Sequence, residues 1–81
     1  SKMDKLSKAQ QHVIDRLKEG WELVHYTNFR GRASLQQGEI GQGWKTERVN
    51  GNTFRSLLDR GLLVQVSNLY PVAAYKLKEP N

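Results

Sequence analysis

The stretch NGNTFRSLLDRGLL, residues 50–63, carries the polar side chains best suited to recognising a ligand. Four of them share one side of a helical wheel, namely Asn52, Arg55, Ser56 and Asp59. Asn pairs bidentately with adenine and Arg with guanine, while a Ser hydroxyl reaches either a base or a phosphate. Asp59 opposes this interpretation, because its carboxylate repels phosphate unless it pairs with Arg55 at i+4 or accepts a hydrogen bond from cytosine. An ordinary solvated helix face is the alternative.

Further basic residues are candidates for contacts with phosphate groups. Thirteen Lys and Arg residues stand against eight Asp and Glu residues, giving a net charge of +5. This excess favours an anionic partner without identifying it. The candidates, each of which could equally be a solubilising charge, are Arg30, Arg32, Lys45, Arg48 and Lys76.

Enzymatic and metal chemistry have little support in the sequence. His12 and His25 lie in different predicted elements, and the chain contains no cysteine, so we expect neither a metal site nor a cofactor. No nucleophile lies beside an evident base, because every candidate serine has a capping, strand or turn role. These serines are Ser7, Ser34, Ser56 and Ser67. We therefore expect a protein that is not an enzyme.

The length of 81 residues allows one small domain with a modest core. We expect residues 1–6 to be disordered or tag-derived, residues 7–78 to form the domain, and residues 79–81 to be a tail. No apolar run approaches the roughly 18 residues that a membrane-spanning helix needs. The lack of cysteine favours a cytoplasmic location.

The first predicted element is a helix over residues 8–19. Ser7 and Gln10 have the spacing of a capping box, and Gly20 has the position of a helix stop. The predicted buried arc consists of Ala9, Val13, Ile14 and Leu17.

The next segment is predicted to be a β-hairpin. WELVHYTNF and RASLQQ are its two strands, because the first is rich in aromatic and β-branched residues and Arg30 and Gly31 supply a turn between them. We expect a flexible loop at Gly38, Gly41 and Gly43, which lack the Lys-Ser/Thr of a phosphate-binding loop. The segment GWKTERV is compatible with either a short strand or an irregular connection.

A second helix is predicted to begin at a cap formed by Asn50 or Asn52 and to end at Gly61. Its core residues are Phe54, Leu57 and Leu58. LLVQV and VAAYKL then form a second hairpin around a loop of residues 67–71. The expected fold class is α+β, with the order α-β-β-α-β-β.

The segment TFRSLLDRGLLVQV…AAYKL resembles the second half of a winged helix-turn-helix domain, over residues 49–77. In that family a recognition helix ends in a Gly-Leu-Leu turn, and a hairpin wing closes with a Tyr-x-Leu strand, here Tyr75-Lys76-Leu77. The resemblance implies a small winged-helix-like domain that binds double-stranded DNA, with the helix in the major groove and the wing on the backbone or minor groove. It suggests a bacterial or phage regulator or accessory factor, acting alone or as a homodimer. The family's second helix has no counterpart, since an aromatic, Gly-rich segment stands in its place.

A second likeness, to small bacterial toxin-like proteins with a similar order of elements, leaves the partner open. The alternative function is therefore a protein–protein interaction module, either an inhibitor or toxin-like, whose aromatic first hairpin binds the partner. Its candidate contact residues are Phe29, Trp44 and Tyr70.

Overall fold

In the computed structural model the chain forms two helices and five strands, and the structure describes residues 5–27, 32–37 and 45–78. The elements are α1 (Lys8–Lys18), β1 (Glu22–Tyr26), β2 (Ala33–Gln36), β3 (Thr46–Val49), α2 (Gly51–Asp59), β4 (Leu63–Leu69) and β5 (Val72–Leu77). The α+β class is confirmed. The observed order has one more strand than the expected order, because part of the segment GWKTERV, which was compatible with a strand or an irregular connection, forms β3.

The five strands form one antiparallel sheet in the order β3-β2-β1-β5-β4. Side chains alternate between the two faces of a strand. Leu23 of β1 pairs with Leu35 of β2 and Tyr75 of β5, and these three lie on the face that both helices cover. The other face, called here the second face, carries Glu22, Val24, Tyr26, Ser34, Arg48, Ala74 and Lys76.

The core lies between the helices and the sheet. Ile14 of α1, Leu57 of α2, Leu23 and Leu35 are completely shielded from solvent. Burying each such side chain contributes about 1.5 to 3 kcal/mol. The helices therefore remain on the sheet because of their apolar sides, and their polar sides are left for other contacts.

Helix α1 starts and stops where its sequence signals lie. Ser7 Oγ accepts from the Gln10 backbone N–H at 3.1 Å, the Gln10 side chain accepts from the Ser7 N–H at 2.8 Å, and Gly20 has φ +98°. The prediction that Ala9 is buried was wrong, because Ala9 is exposed and Gln10 is buried instead. Gln10 turns inward because its Nε2 donates to Ser56 Oγ of α2 at 2.7 Å.

Helix α2 is capped by Asn50, whose side chain accepts from the Asn52 N–H at 2.8 Å. Phe54 and Leu57 are buried as predicted, whereas Leu58 is only partly buried at the edge of the core. The helical rotation of 100° per residue carries Leu58 past the centre of the buried arc. Gly61 follows the helix with φ +73°, as its predicted role requires.

The second hairpin is longer than predicted. Residues 67–69 belong to β4, and only Tyr70 and Pro71 lie between the two strands. The pairing shifts between Gln65 and Ser67, which leaves Val66 as the extra residue of a β-bulge. A bulge interrupts the period-2 alternation that sequence patterns rely on. The predicted turn at Arg30 and Gly31 and the loop at Gly38, Gly41 and Gly43 lie outside the described residues.

Replacing Leu57 with Ala should lower the free energy of unfolding by about 2 to 5 kcal/mol, because this side chain is fully buried. Leu58→Ala is the matched control and should lower it by less, since Leu58 is only partly buried. Denaturant unfolding followed by circular dichroism measures both values. An equal or larger loss at Leu58 would contradict the orientation of α2.

Candidate nucleic-acid interface

The outward face of α2 presents Asn52, Arg55 and Asp59, all of which are exposed. Asn52 and Arg55 are three positions apart and thus lie on neighbouring turns of the same side of α2. Within the described part of the chain no ion pair joins Arg55 to Asp59. The Arg55 guanidinium and the Asn52 amide are therefore available for a ligand at the N-terminal half of α2.

Ser56 does not belong to this face, contrary to the sequence-based expectation. It is half-buried, its hydroxyl accepts from Gln10 Nε2 at 2.7 Å, and it donates to the Thr53 carbonyl at 2.9 Å. Both hydrogen bonds are internal to the domain. Ser56 thus joins the two helices and has no hydroxyl proton left for a base or a phosphate.

His25 of β1 lies beneath α2 and next to its outward face. Its ring stacks on Phe54 with centroids 4.6 Å apart, and Tyr75 meets the same Phe54 ring edge-on at 5.3 Å. Burial lowers the pKa of His25, and the nearby positive charge of Arg55 lowers it further. His25 is therefore a neutral ring at physiological pH, with a pKa that depends on the charge at Arg55.

A groove between the starts of α1 and α2, called here the basic groove, has a volume of ≈350 Å³. It is lined by Lys8, Ala9, His12, Val13, Arg48, Val49, Asn50 and Thr53. None of these described lining residues is acidic. Lys8 and Arg48 are exposed cations, and the backbone N–H groups at the start of α2 lie beside them. This combination favours an anion such as a phosphate.

Sequence reasoning assigned no function to Lys8 or His12. Their i, i+4 spacing indicated one side of α1, but only the packing of α1 against β3 and α2 brings that side next to Arg48. A groove lined by residues about 40 positions apart leaves no local pattern in the sequence.

Glu47 of β3 is held by α1. Its carboxylate lies 2.6 Å from His12 Nε2 and accepts from Arg16 Nη2 at 3.1 Å. These hydrogen bonds, first that of His12 and then that of Arg16, lower the pKa of Glu47. Arg16 also donates to Glu19 at 3.0 Å and lies over the Trp21 ring at 4.9 Å from its centroid. The carboxylate near the basic groove is thus engaged by His12 and Arg16.

The remaining described candidates for phosphate contacts belong to the sheet and its connections. Arg32 is exposed just before β2, and Lys45 is exposed just before β3. Lys76 lies on the second face, 3.7 Å from Glu22, and therefore points away from α2. Arg30 lies outside the described residues.

Of the candidates for a protein interface, Tyr70 is 79% exposed in the turn between β4 and β5. Phe29 and Trp44 lie outside the described residues. Tyr70 belongs to the second hairpin and not to the first, so it would bind a partner from a different part of the sheet.

Over residues 5–27, 32–37 and 45–78, no group of three or more His, Cys, Asp or Glu side chains could hold a metal ion. In the same residues neither helix is long and apolar enough to span a membrane. Comparisons of the chain with protein-family models, with curated proteins and with solved structures found no match.

The lowered pKa of His25 predicts a specific dependence of stability on pH. Below its usual pKa of about 6.5 the unfolded chain binds a proton that the folded chain does not, so stability should fall as pH drops from 7 and level off below the folded pKa. His25→Phe keeps an aromatic ring on Phe54 and should remove this part of the pH dependence. Unfolding free energies of both proteins between about pH 7.5 and 5 test it. Identical pH profiles would contradict the assignment.

Proposed function

We propose that this chain binds double-stranded DNA, with the N-terminal half of α2 at the base edges and the basic groove on the phosphate backbone. The observation that carries the proposal is the position of exposed Asn52 and Arg55 next to a groove lined by Lys8 and Arg48. Side chains for base edges and cations for phosphates thus lie at the same end of one helix. Specific recognition of a duplex combines these two kinds of contact.

Asn52 and Arg55 make the contacts with the bases. Asn matches adenine and Arg matches guanine in the major groove, each through two hydrogen bonds. Asp59 lies seven residues after Asn52, about 10 Å further along the helix. Because no ion pair with Arg55 neutralises Asp59 in the described part of the chain, its carboxylate disfavours phosphate at the C-terminal end of α2. The contact is therefore confined to the first two turns.

The basic groove and the start of α2 make the contacts with the phosphates. Lys8 supplies charge in the groove, and the first N–H groups of α2 add the positive end of the helix dipole. Arg48 adds charge at the edge of the groove, because its side chain belongs to the second face. The net charge of +5 extends this attraction beyond direct contact. We expect binding to weaken steeply as salt concentration rises.

The order of elements supports a winged-helix type of binding. Helix α2 ends at Gly61 and continues into the β4–β5 hairpin, which is the arrangement that the resemblance in residues 49–77 implies. Strands β2 and β3 stand where the family has its second helix. We therefore propose a regulator or accessory factor of bacterial or phage type in which a strand pair replaces that helix.

A protein–protein interaction module is the second candidate. Leu69 is 71% exposed and Tyr70 is 79% exposed at the end of the β4–β5 hairpin. Exposed apolar side chains that lie together favour a protein partner. Capture of a protein partner that is insensitive to salt, together with no DNA binding, would favour this candidate over the first.

The DNA proposal predicts two separable effects of substitution. Asn52→Ala and Arg55→Ala should each weaken specific binding by about 1 to 3 kcal/mol and affect non-specific binding less. Lys8→Gln should weaken binding to all sequences and reduce the salt slope by about one unit. Lys76→Gln removes the same charge from the second face and should leave the slope unchanged. Fluorescence anisotropy with genomic fragments at several salt concentrations measures these effects.

His25 offers an independent test of where the duplex binds. The negative charges of a duplex whose base edges contact Arg55 would offset the positive charge of Arg55 and raise the pKa of His25 toward its usual range. An NMR titration of the His25 ring with and without a duplex detects this rise. A duplex that binds without changing the His25 pKa would contradict the role of Arg55, and binding weaker than about 100 μM at low salt would contradict DNA binding altogether.

A further inference from the structure

A second hollow, of ≈410 Å³, lies at the opposite side of the sheet from α2. Its described lining consists of Tyr26, Arg32, Ala33, Ser34 and Arg48. Two of these five residues are arginines, two carry hydroxyl groups, and none is acidic. The described lining therefore combines guanidinium and hydroxyl groups with one aromatic ring.

Strand register explains why these side chains meet. Ser34 of β2 pairs with Arg48 of β3, and the Tyr26 N–H donates to the Arg32 carbonyl at 3.0 Å. Tyr26, Arg32, Ser34 and Arg48 thus occupy two neighbouring rungs of the sheet, on the second face. Diagonal neighbours on adjacent strands, such as Tyr26 and Ser34, are about 7 to 8 Å apart. Tyr26 and Arg48 lie further apart, because β2 runs between their strands, so a ligand that contacts both must extend across β2.

Arg48 is an exposed cation without a carboxylate partner in the described part of the chain. The chain contains eight acidic residues, and Glu47, the neighbour of Arg48 in sequence, turns to the other face to bind Arg16. A guanidinium that no carboxylate neutralises suits a phosphate, to which it can donate two parallel hydrogen bonds. The Tyr26 ring, which lines the same hollow, suits a base, because every base offers a flat surface for stacking.

We propose that this hollow binds a nucleoside phosphate, either as a free nucleotide or as one unit of a single strand. Tyr26 stacks on the base, Arg48 holds the phosphate, and the Ser34 hydroxyl contacts the sugar or the phosphate. A sheet surface that combines an aromatic ring with arginines is a common way to bind unpaired nucleotides.

This site is distinct from the proposed duplex interface. Asn52 and Arg55 lie on the outer side of α2, whereas Tyr26 and Ser34 lie on the sheet face that neither described helix covers. Arg48 is shared, since it lines the basic groove as well. Tyr26 and Lys8 therefore separate the two sites, because each lines only one of them.

NMR titration of isotope-labelled protein with AMP, adenosine, inorganic phosphate and a single strand of six adenine nucleotides tests the proposal. AMP should shift the backbone signals of residues 26, 32–34 and 48, and it should bind more tightly than adenosine or phosphate alone. The comparison of AMP with the single-stranded oligonucleotide shows whether the natural ligand is a free nucleotide or part of a single-stranded nucleic acid. Tighter binding of the strand identifies a single-strand site, and equal binding identifies a nucleotide site.

Substitutions separate recognition from general effects of charge. Arg48→Gln should weaken AMP binding about 10- to 100-fold, whereas Lys18→Gln on the exposed side of α1 should not change it. Tyr26→Leu should weaken it about 10-fold or more, while Tyr26→Phe keeps the ring and should preserve it. If Arg48→Gln does not fold, Arg48→Lys is the alternative. It keeps the positive charge but loses the bidentate hydrogen bonds of the guanidinium, so it should bind AMP less tightly than the unmodified protein.

Lys8→Gln and Asn52→Ala should leave AMP binding unchanged even if duplex binding is lost, which keeps the two proposals separate. No signal change with millimolar AMP would overturn the site. Equal binding of phosphate and AMP, or equal effects of Arg48→Gln and Lys18→Gln, would overturn the proposed recognition by Tyr26 and Arg48.

Discussion

The pairing of β1 with β5 is the constraint on which the rest of the structure depends. It is the one junction between the β1–β2–β3 strands and the β4–β5 hairpin in the described sheet. Its register sets Leu23 opposite Tyr75 and His25 opposite Ala73. A slip of one residue would exchange the two faces of β1, and would separate His25 from Phe54 and send Tyr26 to the helix-covered side. Both candidate sites therefore rely on this register.

The contact between Gln10 and Ser56 then fixes how the two helices lie together. The Gln10 amide accepts from the Ser7 backbone and donates to α2, so one side chain both caps α1 and orients its neighbour. Because a buried polar group without a partner is unfavourable, this arrangement resists rotation of α2 about its axis. The outward position of Asn52 and Arg55 follows from it. A residue with no contact to the proposed ligand thus determines what α2 presents.

Sequence reasoning succeeded where structure is set by neighbours along the chain. The capping box at Ser7, the stops at Gly20 and Gly61, and the burial of Phe54 and Leu57 depend on spacings of a few residues. It was wrong about the exposure of Ser56 and Ala9 and about the β4 bulge, because contacts with residues far along the chain determine these features. The basic groove and the hollow on the second face likewise depend on β3, whose existence the sequence left open. Only the sheet order brings Arg48 next to Lys8 on one side and Tyr26 on the other.

The two outer strands of the sheet differ in how they present their backbone. Strand β3 carries Glu47 and Arg48, whereas LVQVSNL of β4 has no charged side chain and exposes Val64 and Val66. Charged edges discourage the addition of foreign strands, and uncharged ones invite it. The bulge at Val66 limits such addition, because it interrupts the row of hydrogen-bonding groups. Mutual repulsion between chains of net charge +5 opposes it as well, a protection that salt screening or a bound polyanion would weaken. Strand addition at β4 is thus opposed by one irregular residue and by a charge repulsion that depends on the ionic strength of the surroundings.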